Sequence, residues 1–361
     1  MSTIKDVAAL AGVSFTTVSH VLNETRPVSA EARRRVLAAV EEIGYLPSAV
    51  ARSLRKSETR IIGVLVPNVQ NPFFAELVCG VEETCRLAGY SVFLCNSDND
   101  PKRQQQYMRT LLEKRIDGLL LSSAGDDEAL AQMFQMARVP SVTVDRLVPG
   151  ARADRVSVNN REGAAAAVRH LLELGHRAIG CISGPVEFEV AQERIAGWRE
   201  TLQAAGIEPA VHWLVHSDFS SHGGYEAGKR LLETAPELSA VFASNDLMAL
   251  GLMRASAEAS RPVPASLSVV GFDDIELSAY AYPSLTTVGC SIKELGREAG
   301  RALLARIEQP QASLREVLMK PQLVRRESTA APATAAGPSP TAGKAGRSGK
   351  GAAAGKAGKS A

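Results

Sequence analysis

Within one predicted helix, residues 15–22, five side chains are of kinds that read nucleic-acid bases: Phe15, Thr16, Thr17, Ser19 and His20. Threonine methyls and the Phe15 ring suit a thymine methyl, while hydroxyls and an imidazole bond to purine acceptors in a major groove. Thr17 and Ser19 suit phosphate oxygens equally well. Asn23 and Arg26, just past the helix, fit phosphate or base-edge contacts. Val18, Val21 and Leu22 belong to a core, and Arg33-Arg34-Arg35 reads as a solvated helix face. Turnover chemistry leaves no comparable mark. The chain has no P-loop, no GxSxG and no GxGxxG after a strand, and the acids of Asp126-Asp127 and Asp273-Asp274 are sequence neighbours rather than a spaced pair. No enzyme and no cofactor are expected.

A base-reading helix needs neighbours to set it against DNA. Thr3 is placed to cap a helix over 4–11, with Asp6 three residues later as in a capping box. Gly12 and Val13 form a turn, Ser14 caps the next helix, and Ser29 opens a third over 30–43, ended by Gly44. Val7, Ala8, Val18, Val21, Val36, Leu37 and Val40 are expected to supply a small core. Two helices joined by a tight Gly-containing turn make a helix-turn-helix. After Arg60 the grammar changes to short apolar runs at 61–66, 91–95, 118–121, 142–144, 178–182, 240–243 and 267–270. Helical stretches such as 74–88 and 161–174 separate them. Strands spaced by helices predict parallel sheets covered on both faces, and the pattern is too long for one open sheet. The expected fold class is α/β: two doubly wound lobes with a ligand cleft at the carboxyl ends of their strands.

The net charge of +2 hides a partition. Residues 1–60 hold nine Lys/Arg against six Asp/Glu, the chain after Glu327 holds five Lys/Arg and no acid, and the remainder is acidic. Only the ends are suited to a polyanion. Residues 331–361 use only Ala, Gly, Pro, Ser, Thr, Lys and Arg, so a disordered tail is expected, with solubility its simplest use. No run of about eighteen apolar residues is present, and Lys5 and Asp6 stand where a signal peptide is apolar, which predicts a cytoplasmic protein. Five cysteines without a CxxC indicate neither a disulfide framework nor a zinc site and read as buried, reduced thiols.

The string Ile4-Lys5-Asp6-Val7-Ala8, with Ala11-Gly12-Val13-Ser14 and Thr17-Val18-Ser19-His20-Val21-Leu22-Asn23, resembles the DNA-binding head of the lactose-repressor family, and the resemblance runs to about Ser328. It implies a transcription regulator, most often a repressor, that binds a palindromic double-stranded operator as a homodimer with no membrane partner. Tyr45 to Leu54 places Pro47 before a capping Ser48 and an alanine-rich helix too short to be stable alone. In the family this hinge folds on operator DNA, pairs with its twin and drives a leucine into the minor groove. The matching residue is Leu54, with Arg52, Arg55 and Lys56 near phosphates. Some family members are tetramers through a C-terminal leucine-rich helix; this tail has no leucine, so dimers are expected. The implied divisions are a head (1–46), a hinge helix and linker (47–60), a two-lobed effector-binding and dimerisation body (61–328) and a basic tail (329–361). One lobe takes about 61–160 and 290–322, the other about 161–289 and 323–328.

The body also resembles sugar-binding two-lobed proteins at Asn71-Pro72-Phe73-Phe74, Val144-Asp145-Arg146, Gln192 to Gly197, Ser217-Asp218-Phe219, Ser244 to Ala249 and Val270 to Asp274. A sugar needs flat apolar faces, which Phe73, Phe74 and Phe219 supply. It also needs planar polar groups for vicinal hydroxyls, and Asn71, Asp145, Arg146, Arg194, Asn245 and Asp273 provide them. Taken singly some read more plainly, Phe74 as helix-to-sheet core and Asp246 as a helix cap. The set resembles ribose-binding members. Purine-responsive members carry an Arg and a Thr where this chain has Phe188 and Val190, which argues against a purine. Family members often follow the Leu-Thr-Thr-Ile/Val strand with a Gln, but Leu285 to Gly289 runs into Cys290, which leaves another pentose, a nucleoside or a sugar phosphate open. A sugar-acting enzyme and a soluble transport receptor are the rival classes, and the head opposes both.

Overall fold

The computed structural model describes residues 2–45, 58–125, 127–146, 148 and 150–332. Arg52, Leu54 and Arg55 of the hinge and most of the basic tail lie outside the described residues.

The head is α1 (Ile4–Ala11), α2 (Phe15–Asn23) and α3 (Ala30–Glu42). Thr3 accepts from the Asp6 N–H while Asp6 accepts from the Thr3 N–H, closing the capping box, and Ser14 and Ser29 cap the other two helices. Gly12 ends α1 at φ +61°, where a side chain would be strained. Val7, Val18, Val21 and Val36 are buried between the helices. Leu37 corrects the expected core: it is 48% exposed, because the apolar stripe of α3 runs through Ala32, Val36 and Ala39 and Leu37 stands off it.

Six strands of the body, β1 (Ile61–Val66), β2 (Ser91–Asn96), β3 (Gly118–Leu121), β4 (Ser141–Val144), β5 (Asp154–Val158) and β11 (Glu316–Met319), form a parallel sheet in the order β11-β5-β4-β3-β1-β2. A second parallel sheet, β7-β6-β8-β9, uses β6 (Ile179–Ser183), β7 (Leu214–His216), β8 (Ala240–Ala243) and β9 (Ser268–Val270). Central strands such as β3, β4, β6 and β8 are buried at every residue, as expected where helices cover both faces. The chain crosses between the lobes after β5, after β10 (Thr287–Gly289) and between β11 and β12 (Gln322–Val324), and β10 and β12 pair antiparallel. The helix Ile292–Glu308 lies hard against Pro72–Leu87. A β-carbon on Gly80 would come within 2.1 Å of the Lys293 carbonyl.

The runs read as strands are strands. The sequence reading did not anticipate β5, β7, β10, β11 and β12. The cysteines are all free, but only Cys85 and Cys181 are buried. Cys79 is exposed, facing outward from its helix, and Cys95 and Cys290 are half-buried.

Candidate functional site

Apart from Arg194, which lies within a helix, each expected cleft residue stands where a strand gives way to a loop or helix. After β1, Asn71 caps the helix Pro72–Leu87, its Oδ1 accepting from the Phe73 N–H (3.0 Å). That start turns Phe73 and Phe74 inward, edge to face with centroids 5.1 Å apart. After β4, Asp145 takes φ +59° and is buried with Arg146. After β7, Phe219 at φ +67° lays its ring over Gly184, where a β-carbon would come within 2.0 Å. After β8, Asn245 caps the helix Asp246–Glu258 through the Met248 N–H (2.9 Å) and donates to the Phe219 carbonyl (3.0 Å). The cap is therefore Asn245 and not Asp246 as the sequence suggested, because the helix opens one residue earlier.

Two arginines carry the electrostatics. Arg194, on the helix Glu189–Ala204, donates to Asn160 Oδ1 (2.8 Å) and to the Ser244 carbonyl, lies 3.8 Å over the Phe272 ring and reaches Asp273 at 3.4 Å. Asp273 follows β9 at φ +107°, and burial pushes its carboxyl up to about 7 against the pull of Arg194. Arg146 lies 4.3 Å from the Phe188 ring centroid, 5.3 Å from Phe219 and 5.7 Å from Phe74, so one guanidinium touches aromatic rings of both lobes. It donates to Asn99 Oδ1 (3.1 Å), and burial lowers its pKa to about 10 although Asp145 opposes the shift. No described residue donates a hydrogen bond to the Asp145 carboxylate.

Asn71, Phe73, Phe74, Asp145, Arg146, Arg194, Phe219, Asn245 and Asp273 all line one cavity of about 20 Å³. It adjoins a cleft of about 750 Å³ through Asn71, Phe74, Arg146 and Phe219. Ring faces beside planar donors and acceptors suit a small polyhydroxylated molecule. Val190 and Phe188, which in the sequence only set the chain apart from purine-responsive members, belong to the site: Val190 lines the cavity and Phe188 covers Arg146. Asn99 and Asn160, which hold the two arginines, carried no recognisable signal. On the head, Phe15, Thr16 and Arg26 are exposed, and Thr17, Ser19, His20 and Asn23 are half-buried. Thr17 bonds to Ser14 (2.9 Å), His20 to Thr25 (2.8 Å) and Asn23 to the Ser19 carbonyl (2.8 Å), so these three also have local partners.

A helix-turn-helix head joined to a two-lobed parallel α/β body defines the class of DNA-binding transcription regulators. Residues 3–48 match the family described as bacterial regulatory proteins, lacI family, and residues 168–329 match the periplasmic binding protein-like domain. The HTH-type transcriptional repressor PurR of Aliivibrio salmonicida is 40% identical over 91% of this chain and 99% of that protein. The ribose operon repressor of Haemophilus influenzae is also 40% identical, over 91% and 98%. Among solved structures, the lac repressor dimer bound to operator and the anti-inducer ONPF superposes with TM-score 0.82 at 30% identity, covering 91% of this chain and 99% of that one. A lacI-family regulator from Enterococcus faecium with bound ribose gives 0.68 at 32%, covering 75% and 99%. The chain belongs to the lacI family of bacterial regulatory proteins and is a DNA-binding transcriptional repressor, not an enzyme. The PurR repressor and the ribose operon repressor are equally similar to this chain, at 40% identity, so the ligand has to be read from the cavity.

Proposed function

We propose that the chain represses transcription as a homodimer on a palindromic operator and that ribose or a related pentose in the cleft controls it. The observation that carries this reading is a buried Asp145 carboxylate that accepts no hydrogen bond from the described residues, in a cavity lined also by Arg146 and the rings of Phe73, Phe74 and Phe219. A carboxylate accepts two hydroxyl protons, a guanidinium donates in plane, and rings cover C–H faces. Val190 and Phe188 offer a purine edge no side-chain hydrogen bond. Residues 1–46 read bases, 47–60 form the hinge with Leu54 as a minor-groove wedge, and 61–328 bind the effector and dimerise. The cytoplasm is its compartment; among the described residues no helix is long and apolar enough to cross a membrane.

Linkage makes the control reciprocal: the factor by which the sugar changes operator affinity is the factor by which operator changes sugar affinity. Calorimetry with ribose, other pentoses, nucleosides and purine bases tests the ligand. Tight purine binding with no pentose binding overturns the reading. Leu54→Ala is expected to leave folding and sugar binding intact and to weaken specific operator affinity by more than about 1 kcal/mol. Unchanged affinity in a titration at fixed salt overturns the wedge.

A further inference from the structure

The helix Asp246–Glu258 begins with an acid that has no solvent exposure, yet Asp246 neither caps that helix nor lines the cavity. Its N–H and its carboxylate engage the segment after β9 and the first residue of β10. The backbone N–H donates to the Phe272 carbonyl (2.8 Å), and the carboxylate accepts from the Ile275 N–H (2.9 Å) and the Thr287 hydroxyl. These contacts bracket Asp273 and Asp274, two successive non-glycine residues at φ +107° and +58°. Such backbone persists only where its surroundings fix it. The fit is tight, since a β-carbon on Gly271 would lie 2.2 Å from the Asp246 carboxylate. From the other side Arg326 holds Asp274 (2.6 Å), and the Asp273 N–H donates to the Val288 carbonyl (2.7 Å). Thr287 and Val288 belong to β10, by which the chain leaves for the other lobe.

We propose that Asp246 is a positioning residue that fixes the left-handed turn aiming Asp273 into the cavity and, through Thr287, ties that turn to a strand crossing between the lobes. The assignment rests on reading the cavity as the effector site. Burial pushes the Asp246 carboxyl well above the usual range, with Asp273 adding to the shift, which favours its protonated form. Asparagine keeps both partners: its amide oxygen accepts from the Ile275 N–H, and its amide N–H donates to the Thr287 hydroxyl oxygen, as a protonated Asp246 does.

Asp246→Ala and Thr287→Val remove the clamp, whereas Asp246→Asn keeps it. In the full-length, ligand-free protein, hydrogen–deuterium exchange over residues 271–276 is expected to accelerate about tenfold in the first two variants and to stay within about twofold of wild type in the third. Ribose affinity measured by calorimetry is expected to fall in the same order, by about tenfold in Asp246→Ala. Its pH profile separates positioning from general loosening. An Asp273 released toward water loses its elevated pKa of about 7, and with it the change of affinity near neutral pH. Unaltered exchange in folded Asp246→Ala or Thr287→Val overturns the clamp. Wild-type protein that binds no pentose overturns the reading of the cavity instead, and the exchange measurement still decides the clamp. Should Asp246→Ala not fold, Thr287→Val, which removes one hydroxyl, carries the test.

Discussion

Two buried arginine–aspartate pairs sit in the body, one in each lobe, and they are built differently. Arg306 meets Asp154 with two bonds, 2.6 and 3.0 Å, and also donates to the carbonyls of Ala312 and Ser313; Asp154 accepts in addition from the Arg315 N–H. Arg194 meets Asp273 at a single 3.4 Å contact, and no other described side chain donates to that carboxylate. The first pair is closed on itself and joins β5, the helix Ile292–Glu308 and the loop toward β11. The second is left open beside a cavity. Burying charge without a full set of partners is costly, so an open pair marks where a ligand completes the bonding.

The largest expected effect falls on the closed pair. Arg306→Met leaves Asp154 buried and unpaired and is expected to lower unfolding free energy by about 3–5 kcal/mol in urea titration. Arg194→Met is expected to cost less stability, because Asp273 can take up a proton near neutral pH. Equal losses would break the comparison. Next come the ligand effects: Asp273→Ala or Arg194→Ala is expected to weaken pentose binding by about 2 kcal/mol, roughly thirtyfold, while operator binding without ligand survives. Calorimetry and a salt-controlled gel shift measure the two halves.

A smaller effect is one of pH. The folded pKa of Asp273, about 7, lies above the value of an unfolded aspartate. Its contribution to stability is therefore full below the unfolded pKa and is lost as pH rises toward 7. Melting of Asp273→Asn is expected to lack that loss, and pentose affinity of the wild type is expected to rise as the carboxylate forms. A flat wild-type affinity profile between pH 5 and 8 would count against an ionising Asp273. Least of all, deleting residues 333–361 is expected to leave melting, dimerisation in ultracentrifugation and pentose affinity unchanged.

The cavity was more legible in the sequence than the sheets that build it. Phenylalanines, planar acids and arginines placed just after apolar runs identify a cleft through their types, and all nine residues read that way line one space. The unforeseen strands fail as local signals. β7, β10 and β12 have three residues each, and β5 and β11 carry Asp154, Arg155 and Glu316 within the strand. Their pairing is dictated by distant segments, as when β11 adds to β5. Asp246 was misread for a related reason: nothing near it in sequence announces the turn it holds.

Because β11 and the helix Ile292–Glu308 complete the six-stranded lobe only after the other lobe has been specified, the lobe that starts first finishes last. During synthesis the four-stranded sheet has every strand once β9 emerges, while the outer edge of β5 still waits for its neighbour. Through that interval Asp154 has no arginine and a row of strand N–H and C=O groups stands open, the kind of edge that invites pairing with another chain. The nascent repressor thus carries this open edge until most of it is already made, and the residues that close it are Arg306 and the strand Glu316–Met319.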